Sequence, residues 1–253
     1  MHMTTTRQPG PRPAEPTEAT PSTRTLDAPL LRVGAGLGVL GVVLQVVMDR
    51  LHPHHVDPNH SAEVFREYAH SENWTAIHLG QFLGTLLIVV ALVALSRALS
   101  RQPGVAGALA VVGGVTAVTV GAVFAVQMAV DGVALKAAID SWGSATTPGD
   151  QSTAFHLAEG VRWLEKGLSG IFQVTNGATL LTLGLSIALG RSYPRWLGWV
   201  GLLAGLAFIG GGVSTAHTGF SAMSGTFLMP ASLLLATFLV GAFTSMWRRS
   251  VAR

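Results

Sequence analysis

Residues 75–96, TAIHLGQFLGTLLIVVALVALS, contain no Asp, Glu, Lys or Arg. About 20 consecutive apolar residues are enough for a helix to cross the hydrocarbon core of a bilayer. This stretch therefore predicts a membrane-spanning helix, and similar runs lie on both sides of it. The predicted spans are roughly 30–49, 75–96, 104–129, 167–190, 196–216 and 226–246.

The composition of the chain agrees with a membrane protein. Of its 253 residues, 49% are hydrophobic and only 11% are charged, whereas about a quarter of an ordinary soluble domain is charged. The basic residues lie at the predicted membrane boundaries, which disfavours nucleic-acid binding. The chain has no cysteine, which excludes disulfides, thiolate metal sites and cysteine nucleophiles. We predict an all-α polytopic membrane bundle of six transmembrane helices.

The charge pattern predicts the domain organisation and the orientation. Residues 1–28 are rich in Pro, Thr and Arg and predict a disordered cytoplasmic tail. Residues 29–248 form the six-span domain, and residues 249–253 are a second cytoplasmic tail. The positive-inside rule places both termini in the cytoplasm and the connections 50–74 and 131–165 outside. The segment DGVALKAAIDSW predicts an extension of the third helix, and STAFHLAEGVRWLEK predicts an amphipathic helix that leads into the fourth span.

Glycines recur at helical spacing within the predicted spans. They are Gly34 with Gly38, Gly201 with Gly205, and Gly170 with Gly177 and Gly184. Small residues let helix backbones approach closely in a membrane. The pattern predicts a tightly packed monomeric bundle, and homodimerisation through one of these glycine faces is the alternative.

Polar residues within the spans concentrate towards the outer side. The candidate pocket residues are His78, Gln81, Gln127, Asp131, Glu165, Gln173, Asn176 and His217. Polar side chains in the hydrocarbon region usually face a bundle interior or a wet cavity. We therefore expect an outward-facing polar cavity that binds a small ligand. The alternative is that these side chains only form hydrogen bonds between helices.

The connection 50–74 is rich in histidine, and its start predicts candidate metal ligands. They are Asp49, His52, His54, His55 and His60. Imidazole and carboxylate suit zinc, copper, nickel or iron(II). The alternatives are a solvated loop and a proton-relay or pH-sensing role. Haem ligation by His78 and His217 is disfavoured, because both are predicted near the outer surface and not deep in the bundle.

A resemblance covers most of the chain from about residue 35 to residue 220. Four segments resemble small multi-span membrane proteins of actinobacteria, the DUF4386-like group. These segments are LHPHHVDPNHSAEVFREYAHSENWTAIHLGQFLG, AVDGVALKAAIDSW, EGVRWLEKGL and RWLGWVGLLAGLAFIGGG. The resemblance implies a bacterial cytoplasmic-membrane protein and carries over no catalytic residue.

Three classes of function are compatible with these patterns. The first is binding of a small ligand or metal ion at the outer site, coupled to transport or sensing. The second is a membrane-embedded enzyme that uses His78, Asp131 and Glu165 for acid–base chemistry on a lipid-soluble substrate. The third is a non-catalytic structural or accessory subunit. An enzyme is the less favoured reading, because no motif demands one, and VRWLEKG is most simply an interfacial helix anchored by Trp163.

Overall fold

The computed structural model describes residues 27–53 and 55–251, and within them it confirms the predicted all-α class. The helices are α1 (Asp27–Leu51), α2 (Ser61–Ala69), α3 (Trp74–Leu99), α4 (Val105–Ala129), α5 (Lys136–Ser144), α6 (Pro148–Leu189), α7 (Arg195–Thr218) and α8 (Ala222–Val251). A π-helical segment, Val130–Leu135, joins α4 to α5. Of the predicted tails, residues 1–26 and 252–253 lie outside the described residues, as does His54.

Six spans of the described chain are long and apolar enough to cross a membrane, which makes this a multi-pass membrane protein. Their helices form a ring in which α1, α3, α4, α6, α7 and α8 each pack against their neighbours in this order, and α8 returns to α1. Because six is an even number of crossings, the start of α1 and the end of α8 lie on the same side of the membrane. Consistent with this, the Arg32 guanidinium donates to the Ser250 carbonyl oxygen at 3.4 Å.

The ring closes because its interior is filled by large apolar side chains and small residues. The buried core includes Leu95, Leu183 and Phe238, which come from three different spans. Hydroxyl groups within the apolar region bond to backbone: Ser96 donates to the Ala110 carbonyl and Ser186 to the Ala106 carbonyl, each at 2.7 Å. The packed interior leaves these polar atoms satisfied, as a low-dielectric environment requires.

The connection predicted at 131–165 is helical almost throughout. The third span continues through the π segment into α5, and α6 runs unbroken from Pro148, where the Thr147 hydroxyl caps it by accepting from the Asp150 N–H at 3.2 Å. The amphipathic faces of α2, α5 and the first part of α6 bury Phe65 and Ile139 in a second apolar core. We call these three elements the cap. The cap covers the end of the bundle where α1 ends and α3 begins, which we call the histidine end.

The heptad glycines of α6 lie against α7 of the same chain. The reciprocal pairs are Gly170 with Gly212, Gly177 with Gly205, and Gly184 with Gly198. A Cβ added at Gly177 would lie 2.6 Å from the Gly205 carbonyl oxygen, and one added at Gly205 would lie 2.7 Å from that of Gly177. Backbones approach this closely only where no side chain separates them. Gly34, Gly38 and Gly201 also pack within the chain, while homodimerisation stays a prediction.

The predicted orientation can be tested with single thiols, because the natural chain has no cysteine. We expect a membrane-impermeant maleimide to label Glu72→Cys, between α2 and α3, in intact spheroplasts. Pro103→Cys, in the exposed turn between α3 and α4, should react only after permeabilisation. The cysteine-free protein is the control for background labelling, and the reverse pattern would invert the orientation.

The glycine contact between α6 and α7 predicts a large effect from one methyl group. Gly177→Ala forces the two backbones apart and should lower the free energy of unfolding by about 1–3 kcal/mol, as other overpacked cores do. Gly160→Ala is the matched control, because a Cβ there meets no atom within 4 Å. Thermal unfolding in detergent measures both variants. Equal melting temperatures for the two would contradict the contact.

Candidate metal centre

A cavity of about 270 Å³ lies at the histidine end, between the cap and the membrane-spanning ring. The loop after α1 folds down over it, since His52, Pro53, Val56 and Pro58 all line its wall. Phe220, from the turn between α7 and α8, closes another side, where the Asn59 side chain donates to the Phe220 carbonyl at 3.0 Å. The remaining polar lining comes from Glu67, Tyr68, Asp131, Arg162 and Glu165.

The contact between His78 and Asp131 is the centre of the site. His78 lies in the second turn of α3, Asp131 lies in the π segment, and both side chains are buried. The His78 Nε2 atom is 3.0 Å from Asp131 Oδ2, and His78 Nδ1 is 2.8 Å from the Trp74 carbonyl oxygen. A carbonyl can only accept, so Nδ1 carries the proton. In a neutral ring, Nε2 then offers a lone pair to a carboxylate, and the contact needs a further proton or a metal cation.

Trp74 holds both partners in place from the start of α3. Its side chain is 0% exposed. The indole Nε1–H donates to the Asp131 backbone carbonyl at 2.9 Å, while the Trp74 carbonyl accepts from His78. The indole ring also packs on Tyr68, with ring centroids 3.9 Å apart, and on His78 at 4.4 Å. One residue therefore joins the cap, α3 and the π segment.

The π segment brings Asp131 close to α3. π-helical turns are rare and occur frequently at functional sites. Thr75 on α3 donates to the Gly132 carbonyl at 2.8 Å. Gly132 permits the approach, because a Cβ there would lie 2.5 Å from the His78 Cβ. Any larger residue at this position would separate His78 from the π segment.

His52 completes a group of three candidate ligands. One atom each from His52, His78 and Asp131 can ligate an ion, and these atoms all lie within 4.8 Å of one another. The His52 Nδ1–H donates to the Pro53 carbonyl at 2.7 Å, which assigns the lone pair of a neutral ring to Nε2. Burial, and after it the neighbouring His78, lower the pKa of His52. The lowered pKa favours the neutral ring, the form that binds metals.

Arg162 and Glu165 form a buried ion pair that also lines the cavity. Each is 3% exposed, and the Arg162 Nη1 atom is 2.5 Å from Glu165 Oε2. The guanidinium lies over the Tyr68 ring, 5.4 Å from its centroid, and over the Phe220 ring at 5.1 Å. Burial raises the pKa of Tyr68 to about 12, so this phenol stays protonated at neutral pH.

The other proposed metal ligands lie away from this group. Asp49, His55 and His60 are exposed, and His54 lies outside the described residues. His55 instead anchors the loop to α2, because its backbone N–H and its Nδ1 contact Glu67 Oε1 at 3.0 and 2.7 Å. Of the four predicted metal ligands that the structure describes, Asp49, His52, His55 and His60, one meets His78 and Asp131, namely His52.

The eight predicted pocket residues divide into three groups. His78, Asp131 and Glu165 lie at or beside the cavity, and His217 is exposed at the end of α7. Four amides are buried deeper in the ring, namely Gln81, Gln127, Gln173 and Asn176. Two of these amides form interhelical bonds, because Gln127 donates to Ser169 at 2.8 Å and Thr215 donates to Gln173 at 3.1 Å.

Sequence reasoning missed four residues of the site: Tyr68, Trp74, Gly132 and Arg162. The sequence predicts that Arg162 belongs to an interfacial helix, yet its side chain is buried and pairs with Glu165, three positions further on. An opposite charge pair on one face of an amphipathic helix was the available signal. Nothing in the sequence marks the π segment, because its widened turn depends on the contact with α3.

Comparison with protein-family models, curated proteins and solved structures finds no match for the chain. The resemblance to the DUF4386-like group therefore stays a prediction.

The loop anchor predicts a pH-dependent stability. Burial opposes the charge of Glu67, but the hydrogen bonds from His55 outweigh it and lower the pKa of Glu67. A carboxylate with a lowered pKa contributes to the stability of the fold at pH values above its unfolded pKa of about 4.3. This contribution is lost as the pH falls through the pKa of the folded state. We expect Glu67→Gln to cost less than about 1 kcal/mol at pH 7, because His55 is exposed.

Chemical denaturation at a series of pH values from roughly 3 to 7, a range that spans the titration of a glutamate, measures the free-energy cost of Glu67→Gln. The cost of Glu67→Gln should shrink towards zero at the acid end. Glu63→Gln on the same helix is the control, because its carboxylate is 56% exposed and 3.8 Å from His60. A Glu67→Gln cost that is independent of pH would contradict the anchor.

Proposed function

We propose that this multi-pass membrane protein binds a divalent transition-metal ion at His52, His78 and Asp131. The observation that carries the proposal is the His78–Asp131 contact, in which a neutral imidazole and a carboxylate both present acceptor atoms, so that a further proton or a metal cation must lie between them. His52 supplies a third ligand within 4.8 Å. The proposal also accounts for the Asp131 Oδ1 atom, which is buried without a hydrogen-bond partner in the described part of the chain.

The surroundings of the two histidines support a metal site. Each donates its Nδ1–H to a backbone carbonyl, His52 to Pro53 and His78 to Trp74. Metal-ligating histidines almost always bond in this way through the second ring nitrogen, which fixes the tautomer and the ring orientation. Exposed His70 makes the same kind of bond to the Arg66 carbonyl, so the arrangement supports a metal site at His52 and His78 because their rings also converge with Asp131.

The ligand set indicates which ion is bound. Two imidazoles and one carboxylate are typical of catalytic zinc sites and of iron(II) sites with open coordination positions. A tetrahedral ion with bonds of about 2.0–2.1 Å separates its ligand atoms by roughly 3.4 Å. In the structure, His78 Nε2 and Asp131 Oδ2 are 3.0 Å apart, and no two of the three ligand atoms are more than 4.8 Å apart. Side-chain movements of about 1 Å would therefore complete the geometry.

The position of the site favours binding at one membrane face over translocation. Transporters hold their ligand near the bilayer midplane between broken helices, whereas His78 is in the second turn of α3 and Asp131 lies beyond the end of α4. Below the site, the described ring holds buried amides that pair with hydroxyl groups of neighbouring helices, and its remainder is filled by the apolar core. We therefore propose sensing or surface capture of the ion, and by the predicted orientation this occurs outside the cytoplasm.

Elemental mass spectrometry of protein purified without a polyhistidine tag tests the proposal. We expect near-stoichiometric zinc or iron. His52→Ala, His78→Ala and Asp131→Asn should each weaken metal binding by more than about 100-fold, because even changes in residues that only support a ligand cost 10–100-fold. His60→Ala and Asp140→Asn are matched controls at exposed positions and should retain the metal.

Two results would contradict the proposed site. Metal-free wild-type protein that cannot be reloaded would leave His78 and Asp131 as a buried ion pair. Loss of metal in His60→Ala together with retention in His78→Ala would instead locate the ion in the exposed loop.

A further inference from the structure

We propose that the cavity binds an oxyanion group, such as a phosphate or a carboxylate, between the metal ion and the Arg162 guanidinium. This inference rests on the proposed metal site and names the ligand that the site receives. His52 and Asp131 line one part of the cavity wall, and Arg162 and Glu165 line another. Because these side chains line one cavity, a small ligand there can reach both positive centres.

Arg162 has donor capacity that the described residues do not use. Its Nε atom is buried and has no hydrogen-bond partner among them. The Nη1 atom donates to Glu165 at 2.5 Å, whereas the Nη2 contacts to the Pro58 carbonyl and the Tyr68 hydroxyl are both 3.5 Å long. A guanidinium offers five donors in a planar fork that matches the oxygens of carboxylate and phosphate. Arg162 can thus bind an oxyanion while it keeps its bond to Glu165.

The balance of charge also favours an anion. The buried carboxylates of Asp131 and Glu165 are matched by Arg162 and Lys166, whose side chains are buried as well. With neutral histidines, a divalent ion adds two positive charges. Glu67, which also lines the cavity and whose Oε2 atom is buried without a partner among the described residues, offsets one of them. The remaining charge is costly in a low-dielectric environment, and a negatively charged ligand removes that cost.

The size of the cavity limits the ligand to a small anion or a single head group. Its volume of about 270 Å³ lies just below the range of roughly 300–1,000 Å³ that is typical of drug-sized ligands. Val56, Val64 and Phe220 supply an apolar part of the wall. The oxyanion can come from a free solute or from an anionic lipid of the adjacent leaflet. Both sources share the same chemistry at the metal and at Arg162.

Cobalt(II) provides a readout that does not depend on any enzymatic activity. Protein in detergent is loaded with Co²⁺, freed of excess metal by gel filtration and titrated with inorganic phosphate. We expect saturable changes in the visible cobalt bands as phosphate enters the coordination shell. Arg162→Lys keeps the charge but loses the fork and the Nε donor, so it should raise the phosphate Kd at least about tenfold, since bidentate recognition makes this exchange non-conservative.

Matched measurements separate the anion site from the metal site. Arg66→Lys, at an exposed position on α2, should bind phosphate like the wild type. The Co²⁺ stoichiometry of Arg162→Lys reports whether that variant is folded. The wild-type protein supplies an independent test, because linkage requires phosphate to tighten Co²⁺ binding by the same factor by which Co²⁺ tightens phosphate binding.

The outcomes distinguish the two proposals. Cobalt bands that respond to phosphate support a free anion, and bands that respond only in nanodiscs containing phosphatidic acid support a lipid head group. Bands that respond to neither, or equal phosphate affinities for wild type and folded Arg162→Lys, overturn the oxyanion site while the metal site stands. Failure to bind Co²⁺ overturns both.

Discussion

The His78–Asp131 contact imposes the strictest requirement on this structure, because it buries a carboxylate and an imidazole where water cannot satisfy them. The cost of burying such groups is recovered only when geometry and further bonds are good. Here the Trp74 carbonyl accepts from one side of the imidazole, and the Trp74 indole holds the backbone of Asp131 from the other side. Gly132 permits the close approach of the π segment to α3. The second and third spans are therefore registered against each other at this point.

The molecule has two apolar cores, one inside the membrane-spanning ring and one inside the cap. The ring core fills the membrane-spanning part, where glycines bring α6 and α7 into close contact. The cap core packs α2, α5 and the first part of α6 around Phe65 and Ile139. The cavity lies between these two cores. Its walls come from the loop after α1, from α2, from the π segment, from α6 and from Phe220, so it exists only when ring and cap are both formed.

The position of the cavity between the two apolar cores explains how several charged side chains can gather in a chain that is mostly apolar. In a region shielded from water, charge interactions are stronger than at an exposed surface. Arg162, Glu165 and Asp131 all lie within that region, and His52 joins them because Pro53 and the His55–Glu67 anchor turn the loop inwards. A metal ion and an oxyanion would both gain from this shielding. Exposed His60, beside Glu63 of α2, and exposed His156, beside Glu159 of α6, have no comparable environment.

The local sequence determined the membrane-spanning architecture of this protein, and tertiary contacts decided its site. Runs of about 20 apolar residues predict spans by themselves, because a bilayer imposes helical hydrogen bonding on each segment separately. The heptad glycines of α6 also predict a close contact with another helix, but they do not indicate that this helix is α7. Asp131 and Glu165 could be singled out as rare ionisable residues in apolar surroundings.

The composition of the site could not be read in this way, since its members come from residues 52 to 220 of the chain. The histidine-rich loop suggested that five neighbouring residues share a metal, but local density in the sequence does not make side chains converge. Only folding of the loop brings His52 to His78, 26 positions further on, and to Asp131. Arg162 pairs with Glu165 on its own helix, but it meets the Tyr68 and Phe220 rings only because other elements fold against α6. Convergence across helices depends on packing, which no single segment encodes.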